Sequence, residues 1–106
     1  MTLSIDTPLP KAQHPGEPRF ATGQLLATPG AIARLEQAGV SLFDLLVRHV
    51  TGDWGEDVGS EDRQANEAAL RYGNRVMSAY RLGDVRIWAI TEADRSATTF
   101  LLPEEY

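Results

Sequence analysis

The chain has 106 residues, no cysteine and a formal net charge of −5. That length holds one domain, and the lack of cysteine excludes a disulfide framework, a cysteine zinc site, an iron–sulfur cluster and a thiol nucleophile. The acids Asp53, Glu56, Asp57, Glu61 and Asp62 lie close together in the sequence and repel phosphate at short range, so nucleic acid is not the expected partner. No apolar run approaches the roughly 18 residues of a membrane span. The first ten residues also lack the basic-then-apolar pattern of a signal peptide. A cytoplasmic setting with no membrane contact is the expectation.

Residues 1–22 carry Pro8, Pro10, Pro15, Gly16 and Pro18 without apolar periodicity, which predicts an extended or disordered arm. His14 falls in this arm. Residues 23–106 are expected to fold as one domain. Gly23–Ala27 reads as a short strand or a lead-in. Thr28 is a natural N-cap with Pro29 at the first helical position, and Gly39 is placed to end that helix. Ser41 is placed to cap a second helix, in which Leu42, Leu45, Leu46 and His49 recur at helical spacing. A glycine-rich loop follows, Gly52 to Gly59. Ser60 is then placed to cap a third helix, with Glu61 and Asp62 in its first turn and Ala65, Ala68, Ala69 and Tyr72 on its apolar face.

From Arg75 the period changes to two. Val76, Ser78, Tyr80 and Leu82 alternate with Met77, Ala79 and Arg81, and Gly83-Asp84 is a two-residue hairpin turn. That turn pairs Leu82 with Val85, Tyr80 with Ile87 and Ala79 with Trp88. A loop from Glu92 to Ser96 leads to a third strand ended by Pro103. The predicted class is α+β: two to three N-terminal helices packed on a C-terminal antiparallel β-meander of three strands, or of four if Gly23–Ala27 joins. The second sheet face carries Trp88, Ile90 and Leu101. It is expected to be partly exposed and to serve self-association or another protein.

Two segments could carry chemistry. In Arg48-His49-Val50-Thr51-Gly52-Asp53-Trp54-Gly55, a His49–Asp53 pair could be a general base with its orienting acid. In the competing reading His49 caps the helix end and Trp54 plugs the core. In Thr91-Glu92-Ala93-Asp94-Arg95-Ser96-Ala97-Thr98-Thr99, Glu92 or Asp94 could act as a base, while Arg95, Ser96, Thr98 and Thr99 could hold an anion. The competing reading is a hairpin closed by Asp94 and Ser96 side chains on backbone, with Arg95 balancing the acids. The catalytic candidates are therefore His49, Asp53, Glu92 and Arg95, and the ligand-binding candidates are Trp54, Asp94, Ser96, Thr98 and Thr99. Asp53, Glu56 and Asp57 could bind magnesium or calcium, but a solvated acidic loop is the commoner outcome. No metal and no cofactor is expected.

The segments R-H-V-T-G-D-W-G and I-T-E-A-D-R-S-A-T-T-F-L-L-P-E-E-Y resemble those of short bacterial proteins associated with plasmids and mobile elements. The resemblance spans about Thr28 to Tyr106 and implies a genomic setting, not a reaction. The function expected is a non-catalytic protein-interaction or regulatory module. One alternative is a toxin-like small ribonuclease using His49 and Arg95, with Thr98 or Thr99 on phosphate. A second is an acidic mimic of nucleic acid.

Overall fold

The computed structural model describes Leu3–Ile5 and residues 17–106. Its elements in chain order are β1 (Leu3–Ile5), β2 (Gln24–Ala27), α1 (Pro29–Ala38), α2 (Leu42–Val50), α3 (Ser60–Tyr72), β3 (Val76–Leu82), β4 (Val85–Thr91), β5 (Ala97–Leu101) and a 3-10 turn, Pro103–Glu105. The class is α+β.

Local chemistry sets most of these boundaries. Thr28 Oγ1 accepts from the Ala31 amide, Pro29 opens α1, and Gly39 closes it in the left-handed region. Ser41 Oγ accepts from the Phe43 amide at the start of α2. The third helix departs from expectation at its start. Gly59 holds the N-cap position without a side-chain bond, and Ser60 is already helical. Its inward face is also narrower than predicted, because Asn66 and Ala69 are buried while Tyr72 is 71% exposed.

The three C-terminal strands form the expected antiparallel meander. Leu82 pairs with Val85, Tyr80 with Ile87 and Ala79 with Trp88, and the ladder continues from β4 to β5. The sheet as a whole is not an antiparallel meander. It has five strands in the order β1-β2-β5-β4-β3, and β2 runs parallel to β5. The meander leaves one edge of β5 unpaired, and the apolar Leu25–Ala27 stretch satisfies it after the long return through the helices. Beyond β2, β1 pairs antiparallel.

Much of the predicted arm, 1–22, lies outside the described residues, His14 included. Where described, it belongs to the fold. The strand β1 adds to the sheet, the Arg19 amide donates to Val50 O at 2.7 Å, and Thr22 is buried. Proline density conceals these contacts because each partner is distant in sequence.

Helices α1 and α2 cover one face of the sheet. Leu35, Leu45, Leu46 and Val50 pack there against Leu25, Tyr80, Ile87 and Phe100. Helix α3 lies beside β3, where Ala69 joins Trp54, Val58, Val76 and Ala79 in a second cluster. On the outer face Ile90 and Leu101 are buried, Trp88 is half-buried, and Tyr106 packs edge-on against Trp88 at 5.5 Å between ring centroids.

The open edge of β3 is closed by groups that are not a strand. Asn66 donates from Nδ2 to Met77 O (2.6 Å) and accepts from the Met77 amide (3.0 Å). The Ala79 amide donates to Trp54 O, the Asp57 amide donates to Ala79 O, and the Arg81 amide donates to Glu56 Oε1. The acidic loop thus satisfies backbone that would otherwise offer a pairing template. Gly55 makes the approach possible. It sits at φ +98, and a Cβ there would collide with the Ala79 carbonyl.

Candidate functional site

His49 lies in the last turn of α2 with no solvent exposure. Its Nδ1 lies 2.6 Å from Ser78 Oγ and its Nε2 2.8 Å from Thr91 Oγ1. Thr91 Oγ1 lies 2.7 Å from Thr98 Oγ1, which donates to the Thr22 carbonyl at 2.9 Å. The end of this chain fixes the direction of every donor. A carbonyl only accepts, so the single hydroxyl proton of Thr98 is committed to Thr22. Thr98 must then accept from Thr91, and Thr91 from His49. The imidazole therefore carries its proton on Nε2, and Nδ1 accepts from Ser78. Burial pushes the His49 pKa down to about 3, and the nearby Arg95 charge lowers it further. The ring is neutral at physiological pH and both its nitrogens are engaged.

The predicted His49–Asp53 pair does not form. Adjacent helix residues point about 100° apart, so Arg48 faces outward where His49 faces in. After the helix the backbone turns through Gly52, and the Asp53 amide donates to Arg48 O. The Asp53 carboxylate is gripped by Arg48 Nε (2.7 Å) and Nη2 (3.2 Å), and Arg48 also binds Glu56. These bonds hold Asp53 and Glu56 below the usual carboxylate range. The Arg48 guanidinium also lies 4.5 Å over the Tyr80 ring, whose hydroxyl donates to Asp53 O. Asp57 pairs with Arg81 and Arg86. Among the described residues no group of three His, Cys, Asp or Glu is placed to hold a metal ion. The acids that could have formed a cation site are neutralised by arginine.

The second segment follows its structural reading in most positions. Asp94 Oδ1 accepts from the Ser96 amide at 2.9 Å. Hydrogen bonds from the Ser96 hydroxyl and then its amide keep the Asp94 carboxyl below its ordinary range. Arg95 adopts φ +60, and its guanidinium donates to the carbonyls of Asn74, Glu92 and Ala69. It thereby ties the β4–β5 loop to the C-terminal end of α3, where cations are favoured. Glu92 contributes backbone bonds to Ala97 and Arg95 while its side chain is exposed. Thr98 is buried in the His49 chain, and Thr99 is half-buried on the opposite sheet face.

Of the nine candidates, the structure joins His49 to Thr98 through Thr91, to Trp54 directly in an edge-on contact at 6.2 Å between ring centroids, and to Trp54 and Arg95 through one further residue. That residue is Phe20. Its ring meets His49 edge-on at 5.1 Å and stacks near Trp54 at 6.3 Å, with the Arg95 guanidinium 5.6 Å from its centroid. Trp54 is 2% exposed, and its indole donates to Glu67 Oε2. Phe20, Thr22, Ser78 and Thr91 were not legible as site residues. The available signal was alternation, which places Ser78 and Thr91 on the same sheet face as Tyr80 and Ile87, where a polar group demands a buried partner.

A separate open groove lies between α3 and the outer sheet face. Its volume is about 410 Å³, and Val58, Ala79, Met77 and Trp88 form its apolar part, with Asp57, Asp62 and Arg75 among its charged lining. Arg75 is held by the Tyr106 hydroxyl at 2.7 Å. The size lies at the low end of the roughly 300–1,000 Å³ of ligand pockets. No described helix is long and apolar enough to cross a membrane. No family model, curated protein or solved structure matches the chain.

Proposed function

We propose that this chain is a small non-catalytic interaction module, of the mobile-element-associated kind its two segments resemble. Its docking surface is the groove beside Trp88. The observation that carries this reading is the fate of the reactive groups. His49 is enclosed and neutral, Asp53 is bound by Arg48, and Arg95 is spent on backbone carbonyls. The groove, by contrast, presents a half-buried tryptophan and a methionine to solvent. Asp62 in its lining and the neighbouring Glu61 favour a protein segment in which apolar side chains adjoin a basic one, as does the net charge of −5. The expected surface therefore shifts from Ile90 and Leu101, which are buried, to Trp88 and Met77.

The test is affinity capture on the full chain, on Trp88→Ala and on Asp62→Arg, with circular dichroism to confirm that each is folded. A stoichiometric partner that binds the full chain and is lost from both variants supports the reading. A partner indifferent to both substitutions, or an inert monodisperse monomer that recovers none, sinks it. The ribonuclease alternative needs His49 to meet solvent. RNA cleavage by the purified chain that is abolished in His49→Ala would put it ahead. The acidic-mimic alternative is weakened because Asp53, Glu56 and Asp57 already have arginine partners. It would require a complex that weakens steeply with salt.

A further inference from the structure

Between Glu17 and Gly23 the chain forms neither helix nor strand, yet it crosses over His49, Trp54 and Arg95. Its attachments are few. The Arg19 amide bonds to Val50 O, and the Arg19 guanidinium forms an ion pair with Glu67 in which both side chains are 41–50% exposed. Phe20 is half-buried and packs against both apolar clusters, and Thr22 is buried, its carbonyl taking one hydroxyl bond from Thr98. The segment ends at Gly23, whose φ of +63 and close approach to the Arg95 and Ser96 carbonyls leave no room for a side chain. Such a residue is a natural pivot between a loose segment and a fixed strand.

The walls beneath it keep most of their hydrogen bonds without it, although Arg19 braces Glu67 and the Thr22 carbonyl takes the last hydroxyl proton of the His49 chain. His49 is held by Ser78 and Thr91. Trp54 is held by Glu67 at its indole and by the Ala79 amide at its carbonyl. Arg95 is held by backbone carbonyls of α3 and of its own loop. Phe20 fills the space these three residues enclose and anchors none of them by a hydrogen bond. Segments with few buried contacts open locally at lower free energy than the core.

We propose that residues 17–22 are a displaceable strap, with Phe20 as the plug of a preformed slot walled by His49, Trp54 and Arg95. Closed, the strap shields the one place in the described chain where an imidazole, an indole and a guanidinium surround a single ring. Open, it exposes that slot while α2, α3 and the sheet stay folded. Access to His49 is then set by the strap rather than by global unfolding.

Hydrogen exchange followed by NMR on the full chain, from no urea up to concentrations below the unfolding transition, tests this. The Arg19 amide and the Trp54 indole N–H should exchange on the order of a hundredfold faster than the Ile87 and Ala89 amides of β4, and with a weaker dependence on urea. In Phe20→Ala, exchange of the Trp54 indole should approach the unprotected rate while the β4 amides keep their slow, steeply urea-dependent exchange. The wild-type measurement decides even if that variant does not fold. One shared rate and one shared urea dependence for Arg19, Trp54 and β4 overturn the strap. So does a folded Phe20→Ala chain whose Trp54 indole is still protected like β4.

Discussion

Arg48 and His49 are neighbours in sequence and opposites in environment. Arg48 keeps its charge at the surface, shared between Asp53 and Glu56. His49 gives up its charge in the core and serves as one member of a chain of neutral hydrogen bonds. The ion cluster around Arg48 is partly exposed, so solvent and salt dilute each pair and a lost partner is replaced by water. The chain around His49 has no water to fall back on, so a lost partner leaves an orphan. The inner region should therefore dominate stability although it carries no charge, and substitutions in the two regions test that contrast.

The largest effect is expected from Thr91→Val, which is close to isosteric. It leaves the His49 Nε2–H without an acceptor and Thr98 without its donor. Thr98 keeps its bond to the Thr22 carbonyl, so one buried group is orphaned at a cost of about 1–3 kcal/mol, and urea unfolding should show a loss of that size. A loss as small as that of a surface substitution would break the comparison.

Acid should single out the inner region next. The folded His49 pKa is about 3 against an ordinary 6.5, so the unfolded chain takes up a proton that the folded chain refuses. That penalty is absent above pH 6.5, grows as pH falls, and is complete only near pH 3. Within the window it amounts to about 1.4 kcal/mol per pH unit. Urea melts should thus lose roughly 2 kcal/mol between pH 6.5 and 5, a slope that His49→Leu removes. The outer region responds later. Asp53 and Glu56 have lowered pKa values, so their contribution is present above their ordinary values of 3.8 and 4.5 and fades only as pH falls below them.

Gly55→Ala should come third. It forces a side chain onto a left-handed backbone and against the Ala79 carbonyl, a cost of more than about 1 kcal/mol visible as a lower Tm. Asp53→Asn should cost less than about 1 kcal/mol at low salt, and the difference from wild type should shrink toward zero in 1 M sodium chloride. A salt-insensitive loss there would mean the outer cluster behaves like the inner one.

The sequence disclosed what is local. The Thr28 and Ser41 caps, the Gly39 stop and the register across Gly83-Asp84 each depend on residues within a turn of one another. The Asp94–Ser96 turn is of the same kind. What stayed hidden is non-local. His49 finds Ser78 and Thr91 across 29 and 42 positions, and Thr98 finds Thr22 across 76. Sequence nearness suggested Asp53 for His49, but the rotation of one helical residue sent Arg48 to it instead. The parallel pairing of β2 with β5 escaped for the same reason, since four short residues carry no sign of which distant edge they will complete.

The amide of Asn66 imitates one residue of a missing strand, giving and taking a backbone bond at Met77. Its consequence reaches beyond a single molecule. A sheet sealed on one flank cannot add neighbours there, and in the strand order only β1 stands at the opposite flank. A second copy adding a strand to the β3 flank would first have to displace the Asn66 amide and the acidic loop. Asn66→Ala would uncover the Met77 amide and carbonyl while the Trp54, Asp57 and Glu56 bonds to Ala79 and Arg81 remain, and any aggregate growth from that opening would register as light scattering rising over time.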